Sequence, residues 1–195
     1  MDKNRINRRT SNNDTKVIKW VLLGMIGLLI VNWAFFFRLL YPFHYRDKIE
    51  RHAQTYQLDS RLVVSIVRTE SKFRATALSS KGAVGLMQIM PETGLWIAQQ
   101  IGRSDFTVDM LKEPDENIQF GCWYLQSLNL EFQGERIIVL AAYNAGRGNV
   151  KQWLNNGVWD GSLESLDQIP YPETRNYIRR VIGAYAFYAR LYPQI

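Results

Sequence analysis

Residues 70–91 read ESKFRATALSSKGAVGLMQIMP, and they lie between two predicted helices. Ahead of them, apolar residues recur at helical spacing from Leu62 to Val67, so Glu70 falls near the carboxyl end of a helix. Pro91 suits the first turn of the next helix. The stretch is rich in small residues, and no acidic residue lies between Ser71 and Pro91. It is therefore predicted to be an irregular loop beside a single carboxyl group.

The pattern remains helical beyond this loop, and no long alternating segments suggest a substantial sheet. A length of 195 residues and a hydrophobic content of 47% suit one domain plus an appendage. The sequence therefore predicts an all-α fold. Further helices are expected from Pro91 to Gly102, from Pro114 onward, from Glu135 to Tyr143, from Gly148 to Leu154 and from Pro172 to Tyr192.

An uncharged apolar run, WVLLGMIGLLIVNWAFFF, occupies residues 20–37. As a helix it covers roughly 27 Å, just enough to span a bilayer. Lys and Arg cluster before it, which predicts a cytoplasmic amino terminus and an extracytoplasmic domain at the cell membrane. A cleaved signal peptide is the alternative, but small residues would then follow the run, and residues 35–41 are bulky. We expect a disordered basic tail over 1–16, a single transmembrane helix over 17–40 and a soluble domain over 41–195.

The formal net charge of +6 is concentrated in the tail. The first nineteen residues hold six basic and two acidic residues, and the rest holds 18 basic and 16 acidic ones. This distribution argues against a nucleic-acid partner. Cys122 is the one cysteine, and His44 and His52 are the two histidines, so neither a disulfide nor a zinc site is expected. No metal or cofactor is predicted.

Five short motifs occur in a fixed order around the loop: Glu70-Ser71, Gly82–Gln88, Asn117–Gly121, Ala142–Gly146, and Glu173-Thr174 followed by Tyr177. In this order they resemble the lytic transglycosylase family, of the SLT type with a lysozyme-like catalytic domain. The resemblance covers roughly residues 45–195. One departure is Ala75, where the family usually has proline. We expect a looser turn there, without loss of activity, because proline would act mainly by fixing the backbone.

The resemblance implies a lysozyme-like domain of about seven or more helices that cleaves peptidoglycan glycan strands. In the family, the hydroxymethyl oxygen of muramic acid attacks the anomeric carbon, and one glutamate serves as acid and then base, leaving 1,6-anhydromuramoyl ends. The residues support this independently. Glu70 would be a competent acid near neutral pH if apolar neighbours raised its pKa. Most glycosidases pair two carboxyl groups, so the absence of a second one in the loop favours an intramolecular nucleophile.

The resemblance also assigns individual roles. Tyr143 would orient Glu70, and Asn144 would contact substrate. Structural alternatives exist: Met87 could be a core residue, Asn144 a helix terminator, and Glu173 a helix-start residue or the partner of an arginine. The predicted catalytic residues are Glu70 and Tyr143, and the predicted substrate-binding residues are Ser71, Met87, Gln88, Asn144 and Glu173.

Two rival functions remain open at this stage. A hydrolase of the goose-lysozyme kind would share the fold and the glutamate, but it needs a positioned water. A catalytically idle glycan-binding module in a division or secretion assembly would not require Glu70 together with Tyr143. The sequence identifies no cell-wall, division or secretion partner beyond the glycan strands and the membrane.

Overall fold

The structure of the chain, a computed structural model, describes residues 3–194, with side chains for residues 14–33 and 35–194. The chain divides into two units, Met1–Pro42 and Phe43–Ile195. Within the described residues the secondary structure is helical, apart from two isolated bridges in one loop.

The first unit contains helices α1 (Lys3–Val31) and α2 (Trp33–Leu40). Asn32 separates them: its backbone departs from helical geometry, and its side-chain amide donates to Leu28 O at 3.0 Å. This break corrects the expectation of one continuous spanning helix over residues 20–37. Among residues 3–194, no helix is long and apolar enough to cross a membrane.

Two further features of the first unit bear on the sequence predictions. Helix α1 includes residues 3–16, which were expected to be disordered, since no glycine or proline interrupts the stretch ahead of the apolar run. Residues 1 and 2 of that tail lie outside the described residues. The large apolar side chains from Val17 to Leu40 are mostly exposed.

The second unit is built from seven α helices within its described residues, which agrees with the predicted all-helical domain. Observed ends lie within about two residues of the predicted ones where a prediction was made. Two 3₁₀ turns, Val108–Lys112 and Leu166–Gln168, join some of the helices. The helices are α3 (Arg46–Thr55), α4 (Ser60–Ser71), α5 (Pro91–Gln100), α6 (Pro114–Glu131), α7 (Arg136–Ala145), α8 (Arg147–Asn155) and α9 (Pro172–Leu191).

Local sequence signals account for several helix ends. Asp59 caps α4, because its carboxylate accepts a hydrogen bond from Arg61 N at 2.9 Å. Proline occupies the first turn of α5, α6 and α9, where its missing N–H costs nothing. Helix α4 ends where Lys72 and then Phe73 adopt left-handed backbone conformations, with φ of 51° and 64°. These two residues turn the chain sharply after Ser71.

The core of the second unit is centred on α4 and α9, which form its most extensive helix pair. Val63, Val64, Ile66 and Val67 of α4 are completely buried. On α9, a buried face runs from Thr174 to Leu191. This packing places the last turn of α4, which carries Glu70, beside the first half of α9.

Candidate active site

Glu70 lies one residue before the end of α4 and is partly buried. Burial raises the pKa of its carboxyl group to about 7, and the negative charge of Glu173 acts in the same direction. Interactions with the Tyr177 hydroxyl and with the Arg180 guanidinium lower the pKa, because both favour the carboxylate. Burial outweighs them. The Glu70 carboxyl group is therefore populated in both protonation states near neutral pH.

Tyr177 of α9 is a polar neighbour of Glu70 to which the sequence analysis gave no catalytic role. Its hydroxyl is buried and has no partner in regular hydrogen-bond geometry within the described residues, although it interacts with the Glu70 carboxyl group. Burial and the charge of Glu70 hold the Tyr177 pKa well above its ordinary value, so the hydroxyl stays protonated. As a neutral hydroxyl it can therefore donate a hydrogen bond to the Glu70 carboxylate.

A spacing signal in the sequence could have identified this side of the site. Glu173, Tyr177 and Arg180 are separated by four and three residues, which places them on one face of α9. All three influence Glu70 electrostatically. We therefore call these three residues the α9 wall.

Tyr143 of α7 lies on another side of Glu70. Its hydroxyl donates to Met87 O at 2.9 Å, and burial followed by the charge of Glu70 raises its pKa well above the ordinary value. The charge of Glu70 thus reaches Tyr143, but the hydrogen bond of Tyr143 fixes the loop. The expectation that Tyr143 orients Glu70 stays a prediction.

Asn117, near the start of α6, anchors the loop that contains Val84 and Met87. It is completely buried: its side-chain oxygen accepts from Met87 N at 2.7 Å, and its amide donates to Val84 O at 2.9 Å and Leu111 O at 2.8 Å. Gly85, with φ of +82°, lies so close that an added Cβ would overlap Asn117 Nδ2 and Leu111 O. The motif beginning at Asn117 therefore builds the loop.

Two predicted substrate-binding residues are corrected by their burial. Met87 is fully buried against Gly121 of α6, where an added Cβ would overlap the Met87 sulfur. Ser71 is 1% exposed, and its hydroxyl donates to Val67 O at 3.1 Å, one helical turn earlier. Neither side chain is presented to a ligand, because Met87 fills the space between loop and helix and Ser71 completes a helix end.

Gln88 lies at the edge of a pocket of about 260 Å³, which we call the neutral pocket. Its side-chain amide donates to Gly85 O at 2.9 Å and Ala77 O at 3.2 Å, so part of its hydrogen-bonding capacity serves the loop. The neutral pocket is lined by Gln88, Ile89, Met90, Thr93, Tyr124, Tyr143, Asn144, Ala145 and Gly146.

Asn144 joins this pocket to a second one of about 410 Å³, which we call the charged pocket. Its side-chain oxygen accepts from Thr174 Oγ1 at 2.8 Å, which ties the end of α7 to the start of α9. Asn144 thus lines both pockets, and its predicted contact with substrate stays a prediction. The charged pocket is lined by Lys81, Asn144, Ala145, Tyr171, Pro172, Glu173 and Thr174.

Glu173 lines the charged pocket and pairs with Lys81, with Nζ and Oε2 2.9 Å apart. The alternative of an arginine partner is corrected, because the ion pair of Glu173 is with Lys81 and two nearby arginines bond elsewhere. Arg175 donates to Ile169 O at 2.6 Å, and Arg179 pairs with Asp167 at 2.7 Å. The loop brings Lys81 back over the start of α9, a proximity that no sequence spacing indicates.

Ala75, where the family usually has proline, lies in a well-defined turn. Ala77 N donates to Arg74 O at 3.1 Å, which closes a four-residue turn with Ala75 at its second position. This is the position at which proline is favoured, since its fixed φ matches the turn. The turn therefore forms without the proline that the family usually carries.

Comparison with known proteins places these features in a family. The sequence model of the transglycosylase SLT domain matches residues 47–162. Soluble lytic murein transglycosylase of Salmonella typhimurium is 34% identical over 158 residues, covering 79% of this chain and 24% of the relative. Membrane-bound lytic murein transglycosylase C of Haemophilus influenzae is 32% identical over 145 residues, covering 66% and 38%.

Solved structures give the same result. The 70 kDa soluble lytic transglycosylase of Escherichia coli superposes with a TM-score of 0.72 at 33% identity, covering 77% of this chain and 25% of that one. A complex of the 70 kDa enzyme with bulgecin A gives 0.74 at 32% identity, covering 80% and 25%. The chain spans about a quarter of the length of the soluble relatives it matches. The predicted all-helical, lysozyme-like fold is thereby confirmed, and the chain belongs to the family of the transglycosylase SLT domain.

Proposed function

We propose that the chain is a peptidoglycan lytic transglycosylase. It cleaves the bond between N-acetylmuramic acid and N-acetylglucosamine and leaves 1,6-anhydromuramoyl ends. The observation that supports this best is the Glu70 carboxyl group, partly buried, with a pKa of about 7, which interacts electrostatically with Tyr143 and Glu173 in the linings of two adjacent pockets. Such a group can both give and take a proton at neutral pH.

The reaction uses Glu70 in two steps. The protonated carboxyl group donates its proton to the bridging oxygen as the bond from the anomeric carbon to that oxygen breaks. The carboxylate then accepts the proton of the muramic acid hydroxymethyl group, whose oxygen forms the new bond to the anomeric carbon. Atoms and charge balance without water, and the intramolecular nucleophile profits from a high effective concentration.

The surroundings of Glu70 suit both steps. Burial and Glu173 favour the protonated acid needed first, whereas Tyr177 and Arg180 favour the carboxylate needed second. A pKa near 7 is the balance of these influences, and it keeps either state within reach at neutral pH.

A hydrolase of the goose-lysozyme kind is the second candidate, and Glu173 is the observation that favours it. This carboxylate lies outside the loop where the sequence shows no second acid, and its charge reaches Glu70. However, its side chain is 65% exposed and paired with Lys81. We therefore assign it an electrostatic influence on Glu70 and keep water activation as the alternative.

Product analysis decides between the candidates. Purified sacculi are digested with the full 195-residue chain, the fragments are reduced with borohydride, and the products are weighed. We expect muramic ends lighter by one water than reducing ends and unchanged by borohydride. A population of reducible ends would assign the chain to the hydrolases. Binding without any release of fragments would indicate the non-catalytic module.

We further propose that residues 17–40 attach the protein to a bacterial cell membrane, with the catalytic domain on the outer face. Exposed apolar side chains along this segment support the proposal, among them Trp20 at 73% and Val31 at 80%. The basic residues before the run and the membrane-bound relative from Haemophilus influenzae are consistent with it. Protease added to intact spheroplasts should digest the domain beyond Tyr45. Complete protection until lysis would overturn the orientation.

A further inference from the structure

The two pockets of the cleft differ in charge. Among their described lining residues, the neutral pocket has no charged side chain, whereas the charged pocket has the ammonium of Lys81 and the carboxylate of Glu173. Asn144 and Ala145 line both pockets, so the pockets are adjacent. Uncharged sugar rings suit the neutral pocket. The charged pocket is better suited to a charged part of the ligand.

Lys81 lies at the tip of a hydrogen-bonded turn. Gly82 N donates to Ser79 O at 3.0 Å, Ser79 N donates to Ala83 O at 2.9 Å, and Ala83 N donates to Ser79 Oγ at 2.9 Å. These bonds fix the backbone around Lys81, but its side chain is 75% exposed. The ammonium can therefore move while its base stays in place.

The present partner of Lys81 is weakly held. The ion pair with Glu173 joins two exposed side chains, and such pairs contribute little because water screens them. Exchange of Glu173 for another carboxylate within the same pocket costs correspondingly little. Lys81 is thus available to a ligand.

Peptidoglycan strands supply such a carboxylate, an argument that rests on the proposed function. Each muramic acid carries a peptide stem on its lactyl group, and the stem has free carboxylates. When sugar rings occupy the neutral pocket, the peptide stem of the same strand begins close to the charged pocket.

We propose that Lys81 is a specificity-determining residue that binds a carboxylate of the peptide stem in the charged pocket, replacing its ion pair with Glu173. The pocket of about 410 Å³ is large enough for a short peptide segment beside the ammonium. If Lys81 binds stems in this way, the enzyme should prefer strands that retain acidic stems.

Binding measurements test this apart from the reaction itself. The probes are a disaccharide–peptide fragment with free stem carboxylates and the same fragment with those carboxylates converted to amides. Titration calorimetry with the full chain should show about three- to fivefold tighter binding of the carboxylate form. Lys81→Ala should reduce the ratio of the two affinities, carboxylate form over amide form, to about one. Lys81→Arg should largely keep this ratio. High salt should also reduce the ratio.

Lys112→Ala is the matched control, because Lys112 is an exposed lysine paired with an aspartate and does not line either pocket. It should keep the wild-type ratio, and all variants should keep the wild-type affinity for the amide form. An unchanged ratio in Lys81→Ala would overturn the proposal, as would an equal loss for both fragments, which would mean that Lys81 supports only the loop. Equal affinities of the unaltered chain for the two fragments would also overturn it. The product analysis would still decide the proposed reaction.

Discussion

The two sides of Glu70 are built differently. The loop wall, residues 82–90, is held by buried contacts to α6, in which Asn117 makes three hydrogen bonds and Gly121 admits Met87. The α9 wall contributes charges and a buried hydroxyl, and Glu173 and Arg180 on it are exposed. The comparison teaches that packing on the loop side fixes where groups lie, while the groups of the α9 wall adjust a Glu70 pKa that burial has raised.

Substitution of Glu70 itself is the most severe test, because this group is the one acid and base of the proposed reaction. Glu70→Gln keeps the shape of the side chain but cannot donate and recover a proton, so turnover should fall at least about a hundredfold. The measurement is release of soluble fragments from sacculi. Glu164→Gln, at an exposed position outside both pockets, is the control and should retain wild-type turnover. If Glu70→Gln kept most of its rate, another residue would be the acid.

The same variant has an expected stability profile. The folded pKa of about 7 exceeds the ordinary value of 4.5, so the unfolded chain ionises first as pH rises. The contribution of this group to the free energy of unfolding is therefore fully present below about pH 4.5 and is lost as the pH rises to about 7. With allowance for partial exposure, Glu70→Gln should be more stable than wild type by about 2 kcal/mol at pH 8. At pH 4 the two should unfold alike in denaturant titrations.

Asn117→Ala should damage the loop wall through stability. Met87 N, Val84 O and Leu111 O would lose their partners in a buried site, which should cost about 3 kcal/mol of unfolding free energy. Asn155→Ala, on the exposed side of α8, is the control and should change stability by less than about 0.5 kcal/mol. Equal effects of the two substitutions in thermal unfolding would contradict the proposed anchoring.

Charge substitutions on the α9 wall should change the pH profile without comparable loss of stability. Glu173→Gln removes a negative charge that raises the Glu70 pKa, so the alkaline limb of the rate profile should move to lower pH. Arg180→Gln removes a positive charge that lowers it, so the limb should move to higher pH. Arg179→Gln is the neighbouring control, since Arg179 pairs with Asp167. Shifts in the same direction for Glu173→Gln and Arg180→Gln would refute this assignment.

Ala75→Pro should have the smallest effect and concerns only the turn that follows Glu70. Proline at the second position of the turn restricts the unfolded chain and should stabilise the protein by about 0.5 kcal/mol. Turnover should stay unchanged, because the turn already forms with alanine. A loss of stability in denaturant titrations would mean that the local backbone is incompatible with proline.

Sequence patterns were informative where the signal is local. The prolines at the starts of α5, α6 and α9 marked helix ends that the structure reproduces. Asn32 shows the limit of a composition argument. The uncharged run over residues 20–37 suggested one span, but a single amide that bonds to Leu28 O accompanies a break between two helices.

Sequence by itself determined the helical character, the order of the motifs and the candidacy of Glu70, because periodicity, caps and residue chemistry are properties of nearby residues. Only the tertiary structure decided which motif residues face the cleft: it buried Met87 and Ser71 and brought Lys81 to Glu173 across 92 positions of the chain. It also decided the Glu70 pKa, since burial and the charges of α9 depend on how α4 and α9 pack. Exposure and long-range electrostatics arise from packing, and no local pattern encodes them.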